Sequence, residues 1–298
     1  MIAIARTTGV GTRFLMAMAV IGMVAATAGA PTPASAAESA WQTHDGARTR
    51  LVSAYESLPA QAGAAVPLGW QVELDDGWKT YWRSPGEAGR PPVLTIEASD
   101  NVADLTVQFP LPERFTFYDI ETLGYGDRVT LPVLVRAEDP ARPLSLTLRA
   151  DFMVCKDVCL LHEGRYALDL PPMGSVYAKS LHVDAVRRSL DAVPDATGDD
   201  GVGLSIGAVS LRGPAGNQRL TVAVAASQPL SAADLFVEAA PDFGLDRPRL
   251  ALDGDGTAGR FVIAVDGGPN KADLAGEQIT LTLSDGRGRA IERTVVVP

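Results

Sequence analysis

Cysteine, histidine and long apolar runs are what this chain has least of. Its 298 residues contain two cysteines and three histidines. Three scattered histidines leave little from which to build a metal cage. Beyond the first thirty or so positions no run approaches the ~20 apolar residues that cross a bilayer, so no direct membrane insertion is expected of the mature chain. Positive charge is also short, with 26 Lys and Arg against 36 Asp and Glu and a net charge of -10. An acidic surface argues against nucleic acid and against anionic lipid as partners.

What is present begins with an export signal. Arg6 and Arg13 precede a run of apolar and small residues from Phe14 to Ala28, and Ala34-Ser35-Ala36 offers an A-x-A cleavage site. Residues 1–36 are therefore expected to be a cleaved signal peptide that sends the protein into an oxidising space, where a cysteine pair is oxidised unless electrons are delivered to it. The remainder, roughly 260 residues, suits two domains.

Short β-patterned runs recur with Gly and Pro between them, so the chain reads as all-β. In the first half strands are predicted at 48–53, 65–74, 93–97, 105–109, 128–137, 144–152 and 165–170. The second of these alternates clearly through Val66, Leu68, Trp70, Val72 and Leu74, which buries one face. Between two strands, Phe115 to Asp127 reads as a long aromatic loop, either a lid over something reactive or a loop folded on its own rings. Val176 to Val193 has roughly helical spacing and is expected to form a docked helical linker. The second half offers about seven strands from Val202 to Pro298, with Asp285-Gly286-Arg287-Gly288 as a hairpin turn, which suggests an immunoglobulin-like sandwich without chemistry of its own. The expected architecture is thus two immunoglobulin-like β-sandwich domains, 37–172 and 202–298, joined by a helical linker at 173–201.

All the sulfur chemistry lies in Asp151 to Gly164, with three residues between Cys155 and Cys159. Residues so spaced on an extended strand stand roughly 13 Å apart, so the chain must turn at Lys156-Asp157-Val158 for the sulfurs to bond. As a staple that bond is weak, about 2 kcal/mol in the chain-entropy model. The charges around it nearly cancel, Lys156 and His162 favouring a thiolate and Asp151, Asp157 and Glu163 opposing it. Three readings follow: an exchange pair, an inert disulfide in a binding module, or a copper(I) site from the soft and borderline donors Met153, Cys155, Cys159 and His162.

Several ordered motifs narrow the choice. Gly77-Trp78-Lys79-Thr80-Tyr81-Trp82-Arg83-Ser84-Pro85-Gly86-Glu87-Ala88-Gly89, Phe109-Pro110-Leu111-Pro112-Glu113-Arg114-Phe115, Gly124-Tyr125-Gly126, Leu131-Pro132-Val133 and Cys155-Lys156-Asp157-Val158-Cys159 resemble the periplasmic N-terminal region of the membrane disulfide reductases DsbD and ScsB over roughly residues 45–172. The resemblance implies an immunoglobulin-like redox domain in the periplasm. It implies a Cys155/Cys159 pair that takes electrons from a membrane-embedded disulfide reductase and passes them to oxidised thioredoxin-like proteins, with no cofactor. Cys159 would form the mixed disulfide and Cys155 resolve it. Phe117 or Tyr118 would cap the pair, and Tyr81 and Trp82 would line the site. The sequence departs from the pattern in two ways. It carries neither a transmembrane bundle nor a thioredoxin-like domain, which implies a stand-alone relative or a donor on a separate chain. Leu160-Leu161 also lacks the proline that follows the second cysteine in the family.

Overall fold

Alternation of buried and exposed side chains builds nearly every element of the computed structural model, which describes residues 3, 9, 37–117, 120–172, 178–198, 201 and 203–298. The signal segment expected at 1–36 lies outside the described residues apart from positions 3 and 9. Ala34–Pro298 is one compact unit.

In chain order the first half contains β1 (Gln42–His44), β2 (Ala47–Ser53), β3 (Ala65–Leu74), β4 (Lys79–Gly86), β5 (Val93–Asp100), β6 (Val102–Val107), β7 (Glu113–Phe117), β8 (Ile120–Gly126), β9 (Arg128–Ala137), β10 (Leu144–Cys155) and β11 (Cys159–Leu170). One sheet runs β1-β2-β3-β9-β6. The other runs β11-β10-β4-β8-β7, with β5 also paired to β10. Their inner faces bury Trp70, Val72, Leu131 and Val133 against Leu148, Phe152, Val154 and Tyr166. At ~1.5–3 kcal/mol for each large apolar side chain, this core is the main source of stability for the half that carries the cysteines.

Helix α1 (Val183–Asp191) follows, shorter than the expected 176–193 span. Val183 and Val186 pack on Val52 and Ala54, so the helix docks on the first sandwich. Leu181, inside the expected span, is 98% exposed and precedes the helix.

The second half contains β12 (Ser205–Arg212), β13 (Gln218–Ala225), β14 (Asp234–Glu238), β15 (Gly244–Leu245), β16 (Arg249–Asp253), β17 (Ala258–Asp266), β18 (Gln278–Ser284) and β19 (Ala290–Val296). One sheet is ordered β12-β13-β17-β15, with β16 on β17, and the other β14-β18-β19. Leu220, Val222, Phe261, Ile263, Leu281 and Leu283 belong to its separate core. The β18–β19 turn is held as its sequence suggests, Asp285 Oδ1 accepting the backbone N–H groups of Arg287 and Arg289. The architecture is all-β and immunoglobulin-like, with the helix a minor part.

One expectation is overturned. The described part of the segment read as a loop from Phe115 to Asp127 is mostly strand, β7 paired to β8 from Glu113↔Gly124 to Phe117↔Ile120. Alternating aromatic and β-branched residues favour a strand over a loop, and β8 finds its partner in β4.

Candidate functional site

The longest hairpin of the described chain carries the cysteines at its tip. β10 and β11 pair residue for residue from Leu144↔Leu170 to Cys155↔Cys159, and Lys156 to Val158 make the turn. Cys155 and Cys159 form a disulfide with Cα atoms 4.1 Å apart. Register alone brings them together, because directly opposed residues of an antiparallel pair project to the same face.

The same rule assembles the rest of the site. Cys155 is also opposite Lys79 of β4, so Lys79 and Tyr81 share the sulfur-bearing face. The Tyr81 hydroxyl donates to Cys155 Sγ at 2.8 Å and lies 3.8 Å from Cys159 Sγ. Burial pushes that hydroxyl above its ordinary pKa, so it remains a proton donor through the neutral range. Lys79 Nζ donates to Thr122 Oγ1 at 2.9 Å and stands 5.4 Å from the Phe115 ring centroid. Burial lowers the pKa of the ammonium group.

Two glycines make this arrangement possible. Gly124 lies opposite Tyr81, and a Cβ there would come within 2.0 Å of the Thr80 carbonyl oxygen. Gly89, at φ +105°, brings its backbone against the Tyr81 ring, where a Cβ would stand 2.2 Å from a ring carbon.

The two sulfurs are unequal. Cys155 is 1% exposed, whereas Cys159 is exposed at the rim beside Val158 and Leu161. The reachable sulfur is therefore that of Cys159, while the buried one is in contact with the Tyr81 hydroxyl.

The other sequence-predicted residues divide by strand face. Trp82 does not line the disulfide: next to Tyr81 on β4 it projects the opposite way, is fully buried in the first core and packs against Phe236 at 5.9 Å. Adjacent strand residues cannot share a face, so only one of the two could reach the sulfurs. His162 is likewise separated from the copper donor set. It lies opposite Phe152 on the other face of the hairpin, stacks with Phe152 and His44, and hydrogen-bonds the Asp45 carbonyl oxygen. Met153, Cys155 and Cys159 remain together, but the fourth ligand is directed away. Phe117 lies at the end of β7, and Tyr118 lies outside the described residues.

Lys79, Phe115 and Gly89 were not singled out from sequence. Period-two alternation from Tyr81 points to Lys79, but its pairing with Cys155 is a long-range fact. Among the described residues, no group of three or more His, Cys, Asp or Glu side chains could hold a metal ion, and no helix is long and apolar enough to cross a membrane.

Comparison with known proteins agrees with this geometry. Residues 48–171 match the family described as thiol:disulfide interchange protein DsbD, N-terminal, and residues 192–298 match a domain of unknown function (DUF8393). No curated protein matches significantly. Among solved structures, the N-terminal periplasmic domain of ScsB from Proteus mirabilis is similar at 23% identity and a TM-score of 0.66, covering 88% of this chain and 98% of that one. That likeness is one of fold and is too long to be confined to one sandwich. Residues 48–171, with a disulfide at the tip of their longest hairpin, thus match the DsbD N-terminal type of domain.

Proposed function

We propose that this protein is a periplasmic thiol–disulfide exchange protein that carries electrons from a membrane-embedded disulfide reductase to oxidised thioredoxin-like proteins. The observation that carries the reading is the asymmetry of the pair: an exposed Cys159 bonded to a buried Cys155 that accepts a hydrogen bond from Tyr81. The periplasmic location rests on the export signal read in residues 1–36 and on the family resemblance. The same reading divides the mature chain into a redox domain at 37–172, a linker at 173–201 and a second sandwich at 202–298.

The exchange would run in two halves. In loading, a donor thiolate attacks Cys159 Sγ, the Cys155–Cys159 bond breaks, and Cys155 leaves as a thiolate that Tyr81 stabilises. The donor's second thiolate then attacks the donor sulfur of the mixed disulfide, which releases Cys159 and leaves the donor oxidised. In delivery, the Cys159 thiolate attacks an acceptor disulfide and expels one acceptor thiolate. Cys155 then attacks Cys159 Sγ and releases the other. Each half moves two electrons, and solvent exchanges the protons, so no cofactor enters the balance.

The test is a redox titration of the mature protein in glutathione buffers, combined with trapping on a Cys155→Ser variant. A potential in the range of known exchange proteins, about -120 to -270 mV, together with a mixed disulfide through Cys159, supports the reading. A potential below about -300 mV with no trapped partner would make the bond a structural bridge in a binding module.

A further inference from the structure

The second sandwich grips two strands of the first beside the site, through alternate residues of one short strand. On β14, Asp234, Phe236 and Glu238 project to one side, two residues apart. Asp234 receives Arg114 of β7, with Nε to Oδ2 at 2.6 Å and Nη2 to Oδ1 at 3.1 Å, and the same guanidinium donates to the Leu235 carbonyl oxygen at 2.7 Å. Glu238 receives Arg83 of β4, with Nε to Oε2 at 3.0 Å and Nη2 to Oε1 at 2.6 Å, and Glu292 of β19 takes the same guanidinium. Phe236 is 3% exposed and belongs to the core of the first sandwich. It lies beneath the Arg114 guanidinium at 4.6 Å and against Trp82.

Each arginine gripped in this way lies within two residues of a ring at the disulfide face. Tyr81, Trp82 and Arg83 are consecutive: the first touches Cys155 Sγ, the second packs on Phe236, and the third is held by Glu238 and Glu292. Arg114 precedes Phe115, whose ring lies over Lys79, the register partner of Cys155. Both β4 and β7 are thus held by the second sandwich close to those rings.

We infer that the second sandwich is a positioning clamp, in which Asp234, Phe236 and Glu238 hold β4 and β7 so that the Tyr81 hydroxyl stays on Cys155. This inference rests on the reading of Cys155 and Cys159 as an exchange pair. It gives residues 192–298 a task in that chemistry without assigning them any contact with substrate. Asp234, Phe236 and Glu238 are positioning residues, and the cost of losing them appears at a sulfur they do not touch.

The experiment uses the mature chain and dithiothreitol as the reductant. Asp234→Asn combined with Glu238→Gln removes the charges while preserving side-chain volume, and so keeps the fold where Phe236→Ala could lose it. Thr294→Ala, at an exposed hydrogen bond of the same sandwich, serves as a control. With the fold verified by near-ultraviolet dichroism, reduction of the double variant slows by about threefold, the effect of partly withdrawing a hydrogen bond from the leaving sulfur. In the reduced protein, the ultraviolet thiolate absorbance of Cys155 develops at higher pH, which a merely structural interface would not cause. Thr294→Ala matches the wild type in both measurements. An unchanged or faster rate in the folded double variant overturns the clamp, whatever the wild type does with partners. A wild type that exchanges with no protein thiol ends the exchange reading, yet leaves the dithiothreitol comparison standing.

Discussion

Replacing Tyr81 with Phe removes one oxygen atom, and its consequence can be worked from the contact that oxygen makes. The hydroxyl donates to Cys155 Sγ at 2.8 Å in a site where Tyr81 is 2% exposed, so water does not readily replace it. A hydrogen bond to a charged acceptor contributes about 1.5–3 kcal/mol. The attacking thiol responds to its own basicity with a Brønsted coefficient of roughly 0.4–0.5, and a similar fraction of the final charge is taken here for the departing sulfur in the transition state. About 0.6–1.5 kcal/mol of barrier stabilisation is therefore lost, which slows reduction by about 3–13-fold. Because burial raises the Tyr81 pKa, the donor is intact in the wild type throughout the pH range in which thiols react, and the ratio of rates stays flat there. Stopped-flow reduction by excess dithiothreitol, followed for wild type and Tyr81→Phe across neutral pH, measures the ratio directly. A variant reduced as fast as the wild type would refute the assignment of Tyr81 as the donor to the leaving sulfur, and a faster one would make the ring a shield instead.

Three further outcomes are expected. In single-cysteine proteins, the Cys159 thiol left by Cys155→Ser is alkylated at least about tenfold faster by iodoacetamide than the Cys155 thiol left by Cys159→Ser, because access governs the reaction. Removing both sulfurs with Cys155→Ala and Cys159→Ala costs no more than about 2 kcal/mol in urea unfolding, since the closed loop is short and β10–β11 pairing persists without it. Acidification destabilises the fold through His44, whose pKa is lowered from 6.5 by burial and then by the charge of His162. The unfolded chain binds this proton first, so stability is full above about pH 6.5 and falls as the pH drops through the window below it. Melting temperatures decline from about pH 7 to pH 5 in the wild type and decline less in His44→Asn.

Much of this was legible in the sequence wherever one strand carries its own signal. Val66 to Leu74 alternate so regularly that β3 could be bounded from composition alone, and Arg128–Ala137 and Gln278–Ser284 behave alike. The turn at Lys156 to Val158 followed from the reach of an extended chain. What could not be read was the identity of neighbours. Lys79 meets Cys155, and Phe236 enters the core of the other sandwich, through pairings distant in sequence that no local pattern encodes. The segment from Phe115 to Asp127 reads as a loop because its rings and glycines mask the short alternation of the two strands it contributes to. Trp82 was grouped with Tyr81 because adjacency in sequence looks like proximity, whereas on a strand it means opposite sides.

The β10–β11 hairpin also bears on how the protein survives its own chemistry. A bond that opens and closes in every cycle is hazardous if the fold depends on it, because each reduced interval exposes the chain to rearrangement. Here the pairing from Leu144↔Leu170 to Val154↔Leu160 fixes the register independently of the sulfurs, and a slip by one residue would turn the core face of both strands outward. The reduced thiols are thus returned to each other by the sheet and have no other cysteine in the chain to find. Reoxidation then requires no search, and the proposed exchange would run repeatedly without a folding step.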